Sequence, residues 1–389
     1  MTFKGITEID LRFISATFLT IIFSKFCKLK NGLLPLCLSF IILLVAFGIR
    51  LTNFILWSFI FNLFLLLTFK CNEYVFTVLN FVNLYIFKIK GKVIDSRVGG
   101  TFDISGVLML TTIKMCYIGK EYDTKKHSLK DAVGYLTFIP GLFLGPTPTF
   151  LEYVNKKEST QRSVPWFYVL KSLIFLLTFK FFFDQYFPIE VLYLKGLSLP
   201  RKLINLYLFN VGRRMRFYFA WNFTNACYIL QGYDNMENVN ISKVEFATSI
   251  KDLSQGWNIK TNQWLKICFF DKLKHKNIFF ASLMTFLVSA LWHGINVGYL
   301  IMFLSFGISI PIVKCVNKLI LSRVNLVFPV LSRIQMMFFV AYFSSPFFIL
   351  NLKNTLRVWE GVYFYGHLYC LFCGLLFLIS KRLCAMFTY

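Results

Sequence analysis

The chain has 389 residues, 57% of them hydrophobic and 19% aromatic, with a mean hydropathy of +0.62. Soluble domains hold about 45–50% apolar residues, so this composition excludes an ordinary soluble globule and points to a membrane protein. The net charge of +24 is spread through the segments between apolar runs, where cations orient helices and draw anionic lipid or phosphate; with no basic domain, nucleic acid is set aside as a partner.

The apolar runs are continuous and rich in Phe, Leu and Ile, which favours helices over the short alternating segments of a membrane β-barrel. The first extends from Phe13 to Phe26 behind a leader holding Glu8 and Asp10. Acidic residues there, without a small-residue cleavage pattern after the run, set it apart from a removable signal peptide. Runs at 33–49, 51–69 and 74–87 follow, with Lys28, Lys30, Arg50, Lys70, Lys88 and Lys90 near their ends. Residues 1–92 thus read as N-terminal transmembrane helices without chemistry of their own, ahead of a core over 93–389.

From Arg97 the texture changes. Asp103-Ile104-Ser105-Gly106 precede a less hydrophobic run holding Thr111, Thr112 and Lys114. Lys114 is expected to snorkel to the interface or to pair with Asp103. Residues 134–153 contain three prolines and three glycines in an apolar setting, so irregular backbone is expected, buried in protein or lining a cavity. A polar, basic loop from Lys156 to Arg162 ends this part, and the Phe-rich run Trp166–Phe187 comes next. Arg213, Arg214 and Arg216 then fall within one helical turn. Together they make a positive field suited to phosphate or anionic headgroups, with a positive-inside anchor as the plainer reading. Asn240-Ile241-Ser242 matches a glycosylation acceptor, relevant only on a lumenal loop.

The chain is organised around Gly256–Tyr299. No Asp, Glu, Lys or Arg occurs in the 37 residues between Lys276 and Lys314, and His293 lies near the middle of that span. An ionisable side chain at membrane depth is costly unless it faces the protein interior or a wet cavity, which makes His293 a functional candidate. Ser282, Thr285, Ser289, His293 and Asn296, at spacings of 3, 4, 4 and 3, predict one polar stripe along a helix. The last two runs lie at about 334–352 and 361–380. In the second, Cys370 and Cys373 form a Cys-x-x-Cys pair, but the chain has only four histidines; packing thiols fit better than a metal site.

Trp257-Asn258-Ile259-x-Thr261-x-x-Trp264-Leu265, followed 35 residues after the Asn by His293 in Trp292-His293-Gly294-x-x-x-Gly298-Tyr299, resembles the membrane-bound O-acyltransferase family, and within it the lysophospholipid acyltransferase branch. Asp103-Ile104-Ser105-Gly106, Gly145-Pro146 with Glu152-Tyr153, and Tyr218-Phe219-Ala220-Trp221 match in the same order. Val297 stands where the branch usually has proline.

The resemblance implies an all-α integral membrane protein, a polytopic bundle of roughly 9–11 transmembrane helices with broken or tilted helices around a buried catalytic tunnel. It further implies an endoplasmic reticulum location, acyl-coenzyme A as co-substrate, a lysophospholipid as acceptor, no metal and no resident cofactor; a homo-oligomer is left open. His293 is implied as general base and Asn258 as the group that positions and polarises the acyl carbonyl. Thr261 and Asn262 share the face of Asn258, and Ser289 and Asn296 are placed to partner His293. Beside what the resemblance implies, Trp257, Trp264, Trp292 and Tyr299 read as tunnel walls and packing, since large aromatics in a helix bundle are usually core, and Arg213, Arg214 and Arg216 are candidates to meet coenzyme A phosphates. The chemistry agrees: acyl transfer from a thioester to an alcohol needs a base for the hydroxyl proton and a donor for the developing oxyanion. Two other functions fit parts of the pattern, a peptide O-acyltransferase of the same family and a transporter or scaffold whose polar stripe lines a path.

Overall fold

The structure, a computed structural model, describes residues 8–30, 32–69, 72–98, 104–156, 163–234, 236–319 and 328–386. Asp103 and loop residues 157–162 lie outside them. The described chain is helical throughout apart from turns and a single antiparallel bridge, Val239 to Trp257. Contacts divide it into two compact units, Met1–Ile174 with Tyr218–Asn238 and Phe175–Phe217 with Val239–Tyr389.

The first unit contains α1 (Glu8–Phe26), α2 (Leu33–Thr68), α3 (Glu73–Val98), α4 (Ser105–Glu121), α5 (Leu129–Leu136), α6 (Phe150–Asn155) and the start of α7 (Trp166–Thr178). The runs expected at 33–49 and 51–69 are two helical segments of α2 that meet at a break, where Gly48 takes the non-helical φ 72° and ψ 170°. Its faces are those of a helix in lipid: Ser58 and Asn62 are fully buried, while Trp57 is 65% and Leu67 66% exposed. Hydrocarbon solvates the outward apolar side chains, so the polar ones must find partners inside. Asn83 of α3 donates its amide to the Ser58 hydroxyl at 2.7 Å.

Side chains from distant segments satisfy helix ends that would otherwise leave buried carbonyls. Gln231 donates to the carbonyls of Ser24 at 2.6 Å and Cys27 at 3.0 Å, closing the end of α1. Lys30 donates to the carbonyls of Val154 and Lys156 at the end of α6. Lys114 does not snorkel: it is 2% exposed and donates to the Leu136 carbonyl at 3.0 Å, beside the Tyr135 ring. The last turn of α5 offers a carbonyl within reach, which an ammonium in the buried middle of α4 can satisfy without leaving the interior. The proline–glycine stretch is irregular and buried, as expected. It holds a short 3₁₀ turn at Ile139–Gly141 and rests on hydroxyls donated by Tyr228 to Pro146 and by Tyr135 to Pro148.

The second unit continues with a π-helical turn (Phe179–Phe183), α8 (Asp184–Tyr186), a 3₁₀ turn (Ile189–Tyr193) and α9 (Leu199–Leu230), which runs on into the first unit. It then has α10 (Ile241–Glu245), α11 (Ile250–Gly256), α12 (Ile259–Leu265), α13 (Asp271–Leu273), α14 (Ile278–His293), α15 (Val297–Leu319), α16 (Phe328–Ile349), α17 (Leu352–Gly361) and α18 (Tyr365–Met386). Its core gathers Leu206, Phe306, Phe339, Tyr342, Phe343 and Trp359. A polar pin crosses that core: Asn210 donates to the Ala341 carbonyl at 3.1 Å and accepts from the Ser344 hydroxyl at 2.8 Å.

Among the described residues, two helical stretches are long and apolar enough to cross a membrane, Leu33–Thr68 and Trp166–Tyr193. Three shorter apolar helices are Ile278–His293, Val297–Ile310 and Tyr365–Leu376. The uncharged run around His293 is therefore not one long helix. Gly294, at φ 131°, ends α14 directly after the histidine, a backbone conformation that a residue with a Cβ rarely adopts.

Candidate active site

The site residues drawn from the sequence lie in the second unit. Trp257 and Asn258 sit in the turn between α11 and α12, held from one side by the bridge to Val239 and by the Asn240 amide donating to the Gly256 carbonyl at 2.8 Å. The Asn240 side-chain oxygen accepts from the Lys243 amide and caps α10. Asn258 is left-handed, φ 49° and ψ 50°, and begins α12 without using its side chain as a cap. Asparagine tolerates that region better than most residues. The amide group is thereby turned away from helix capping, the usual role of Asn at this position.

Asn262, expected to share the work of Asn258, is exposed and donates to the carbonyls of Trp257 at 2.7 Å and Ser254 at 3.2 Å. It secures the turn that presents Asn258. Thr261 is buried within α12. Trp257 packs its half-buried ring edge-on to Phe217, with centroids 5.5 Å apart.

Trp264 links the two halves of the motif. It is fully buried in α12, and its ring centroid lies 5.5 Å from that of Trp292 on α14. Trp292 in turn stands 4.8 Å from the ring of His293. His293 occupies the last helical position of α14, where the break at Gly294 follows. Its imidazole stacks on Phe303 at 5.2 Å and 18°, meets Phe347 edge-on at 4.9 Å, and has Tyr299 at 5.5 Å. A half-buried imidazole is thus enclosed by three aromatic rings from α15 and α16 and one from its own helix.

The polar stripe is shorter than the spacing predicts. Ser289 is buried one turn before His293, but Asn296 falls beyond the helix end, where its carbonyl accepts from the Tyr299 amide at 3.0 Å and starts α15. A count of 3 after His293 assumes a continuing helix, and Gly294 interrupts it. The Thr285 hydroxyl is spent on the Ala281 carbonyl.

Close packing fixes the far side of the site. A Cβ on Gly298 would lie 2.2 Å from the Pro346 carbonyl oxygen and 2.7 Å from Leu350 Cα. These are backbone atoms, which cannot swing aside. Gly298→Ala is therefore expected to cost about 1–3 kcal/mol, the usual range for overpacking. The check is a lowered thermal midpoint, and an unchanged midpoint would mean that α15 and α16 are less tightly apposed.

Arg213 and Arg216 lie on α9 with their guanidinium groups over Phe179, at 5.7 and 5.5 Å from its centroid. The rings that enclose His293 come from α14, α15 and α16, and α9 supplies none of them. Arg214, between them, is buried and forms a bidentate pair with Glu245 of α10 at 2.8 and 2.7 Å. Sequence reasoning missed Phe303 and Phe347 against His293. With 48 phenylalanines in the chain, no single Phe carries a signal.

The joint arrangement is a base-capable imidazole at a broken helix end, joined through paired tryptophans to the helix that begins at Asn258, whose side chain does not cap it. The membrane-bound O-acyltransferase family model matches residues 51–356. Curated relatives include the mouse membrane-bound glycerophospholipid O-acyltransferase 1, 28% identical over 52% of this chain and 44% of the relative. The lysophospholipid acyltransferase of Schizosaccharomyces pombe is 26% identical over 61% of this chain and 56% of the relative. The human membrane-bound glycerophospholipid O-acyltransferase 1 is 25% identical over 72% and 69%. In the first two matches the chain spans about half the length of the relative. The family model covers most of the chain, including α12 and α14 with their motif residues, and the chain belongs to the membrane-bound O-acyltransferase family.

Proposed function

We propose that the chain is a multi-pass, acyl-coenzyme A-dependent lysophospholipid O-acyltransferase of the endoplasmic reticulum membrane. The observation that carries this reading is the placement of His293: an imidazole at a helix break, walled by aromatic rings, within the family-matched region. In the proposed reaction an imidazole nitrogen accepts the proton of the lysolipid hydroxyl as its oxygen attacks the thioester carbonyl. The negative charge that builds on the carbonyl oxygen is met by the Asn258 amide N–H. Collapse breaks the carbon–sulfur bond, and the imidazolium returns its proton to the departing thiolate, leaving a diacyl phospholipid and free coenzyme A.

The aromatic walls fit two needs of this chemistry. They provide an apolar lining for an acyl chain, and they keep bulk water from the thioester. Trp257, Thr261, Trp264, Trp292 and Tyr299 are proposed to line the substrate path, with Ser289 and Asn296 supporting the histidine. Arg213 and Arg216 are proposed to meet coenzyme A phosphates.

Asn258→Asp separates the side chain's chemistry from its backbone role, because aspartate also tolerates the left-handed conformation but offers no N–H. Loss of one oxyanion donor costs about 10²–10³ in turnover. Release of free coenzyme A from oleoyl-coenzyme A should therefore fall by about that factor with the thermal midpoint held. The same assay, run on the wild type in lipid nanodiscs with a panel of lysophospholipids, tests the substrate class. Release that depends on a lysophospholipid supports the reading, and a folded protein inert with the whole panel removes it.

A further inference from the structure

The second unit has a cavity of about 260 Å³ between the 3₁₀ turn Ile189–Tyr193 and α17. Lys195, Lys202 and Arg357 line it, with Glu360 as the one carboxylate in the lining. Among the described residues none of the three cations forms an ion pair. The Arg357 guanidinium is held over the Tyr193 ring, 5.6 Å from its centroid, a contact that fixes the charge without neutralising it. Three cations against Glu360 in the lining and Glu190 on the adjoining turn leave a net positive charge.

The cavity adjoins one end of a stretch long and apolar enough to cross a membrane. One wall, Val191 to Tyr193, is the end of the membrane-length stretch Trp166–Tyr193. The opposite wall is α17, which buries Thr355, Val358 and Trp359 on one face. On its outer side Leu352 and Leu356 are 47% and 42% exposed, next to Lys353 and Arg357. Leucines and cations side by side on the free surface of a short helix mark an element lying in the interfacial plane. Across the cavity, Leu194 and Leu199 are exposed beside Lys195.

We propose that this cavity is a headgroup site for an anionic phospholipid, whose phosphate is held by Lys195, Lys202 and Arg357 while its acyl chains lie over the exposed leucines. Basic pockets at the membrane surface take such headgroups, and arginine is suited to phosphate by its fixed array of donors. A soluble phosphate would use the cations but not the leucine rim, and the rim decides between them. The site does not depend on acyl transfer, and its occupancy is measured without any acyl donor.

The test is calorimetric titration of the purified chain in neutral detergent with dihexanoyl phosphatidic acid, dihexanoyl phosphatidylcholine and inorganic phosphate as separate ligands. Wild type should bind the phosphatidic acid saturably, and the Lys202→Gln/Arg357→Gln variant at least ten-fold more weakly. Lys353→Gln, outside the lining, should bind as wild type does. Phosphatidylcholine and inorganic phosphate should show no comparable binding. Lys195→Gln, a single change at an exposed position, should weaken binding in the same direction if the double variant does not fold. Equal binding by wild type and the lining variants, no phosphatidic acid binding at all, or inorganic phosphate binding as tightly as the lipid would each overturn the proposal.

Discussion

His293→Ala is expected to lower turnover by about 10²–10⁴-fold, the contribution of a positioned general base. The affinity for acyl-coenzyme A should change little, because the proton transfer is made only in the transition state and not on binding. His293 is half-buried at the end of α14, so truncation removes ring contacts at a helix terminus and leaves the pairing of Trp264 with Trp292 in place. The fold should survive, and the thermal midpoint in nanodiscs is the control. A folded variant that kept a tenth or more of wild-type turnover would show that the imidazole is packing and not chemistry.

The second large effect concerns stability. Arg214→Met is expected to destabilise the second unit by about 3 kcal/mol, because it removes the bidentate cation from the Glu245 carboxylate; losing one member of a buried pair costs roughly 3–5 kcal/mol. The lower end applies here, since the side chains of Arg214 and Glu245 are still 10% and 16% exposed. Removing both charges is a different matter. In Arg214→Met/Glu245→Gln no carboxylate is left buried without its cation, and most of the loss should be recovered. The measurement is the thermal midpoint of the two variants beside wild type. A double variant as unstable as the single one would mean that the guanidinium stabilises through contacts other than Glu245.

Arg214 also shows where sequence stops being informative. Three arginines in four positions are plainly legible as a positive patch. Which of them meets a carboxylate depends on α10, 31 residues further on, and no local pattern encodes that pairing. Lys114 has the same lesson. Its usual behaviour is to snorkel, but the carbonyl that holds it belongs to Leu136 at the end of α5, a partner visible only once α4 and α5 pack together. The irregular backbone between α5 and α6 is legible for the opposite reason. Proline and glycine act through their own backbone geometry, and no partner is needed to recognise the break.

The site itself divides in the same way. His293 stands out because a lone imidazole in an uncharged run is rare, whereas Asn258 has the weaker physical signature and is marked by the family motif. Spacing alone assumes an unbroken helix and so places Asn296 on the polar stripe. The glycine at 294 was the available signal, since glycine after the last helical residue is a common terminator. Phe303 and Phe347, which wall the imidazole, left no trace in a chain this rich in phenylalanine. The π-helical turn at Lys266–Phe270 between α12 and α13 likewise has no sequence signature that separates it from ordinary helix.

The central claim is that this chain moves an acyl group from coenzyme A to a lysophospholipid. The most direct measurement is mass spectrometry of the lipids formed when the purified chain, in nanodiscs, is given isotopically labelled oleoyl-coenzyme A and a lysophospholipid. The account predicts a diacyl phospholipid carrying the label on its new acyl chain, formed by wild type and lost with His293→Ala. Labelled free oleate as the sole product, or labelled phospholipid formed equally by wild type and His293→Ala, would contradict it.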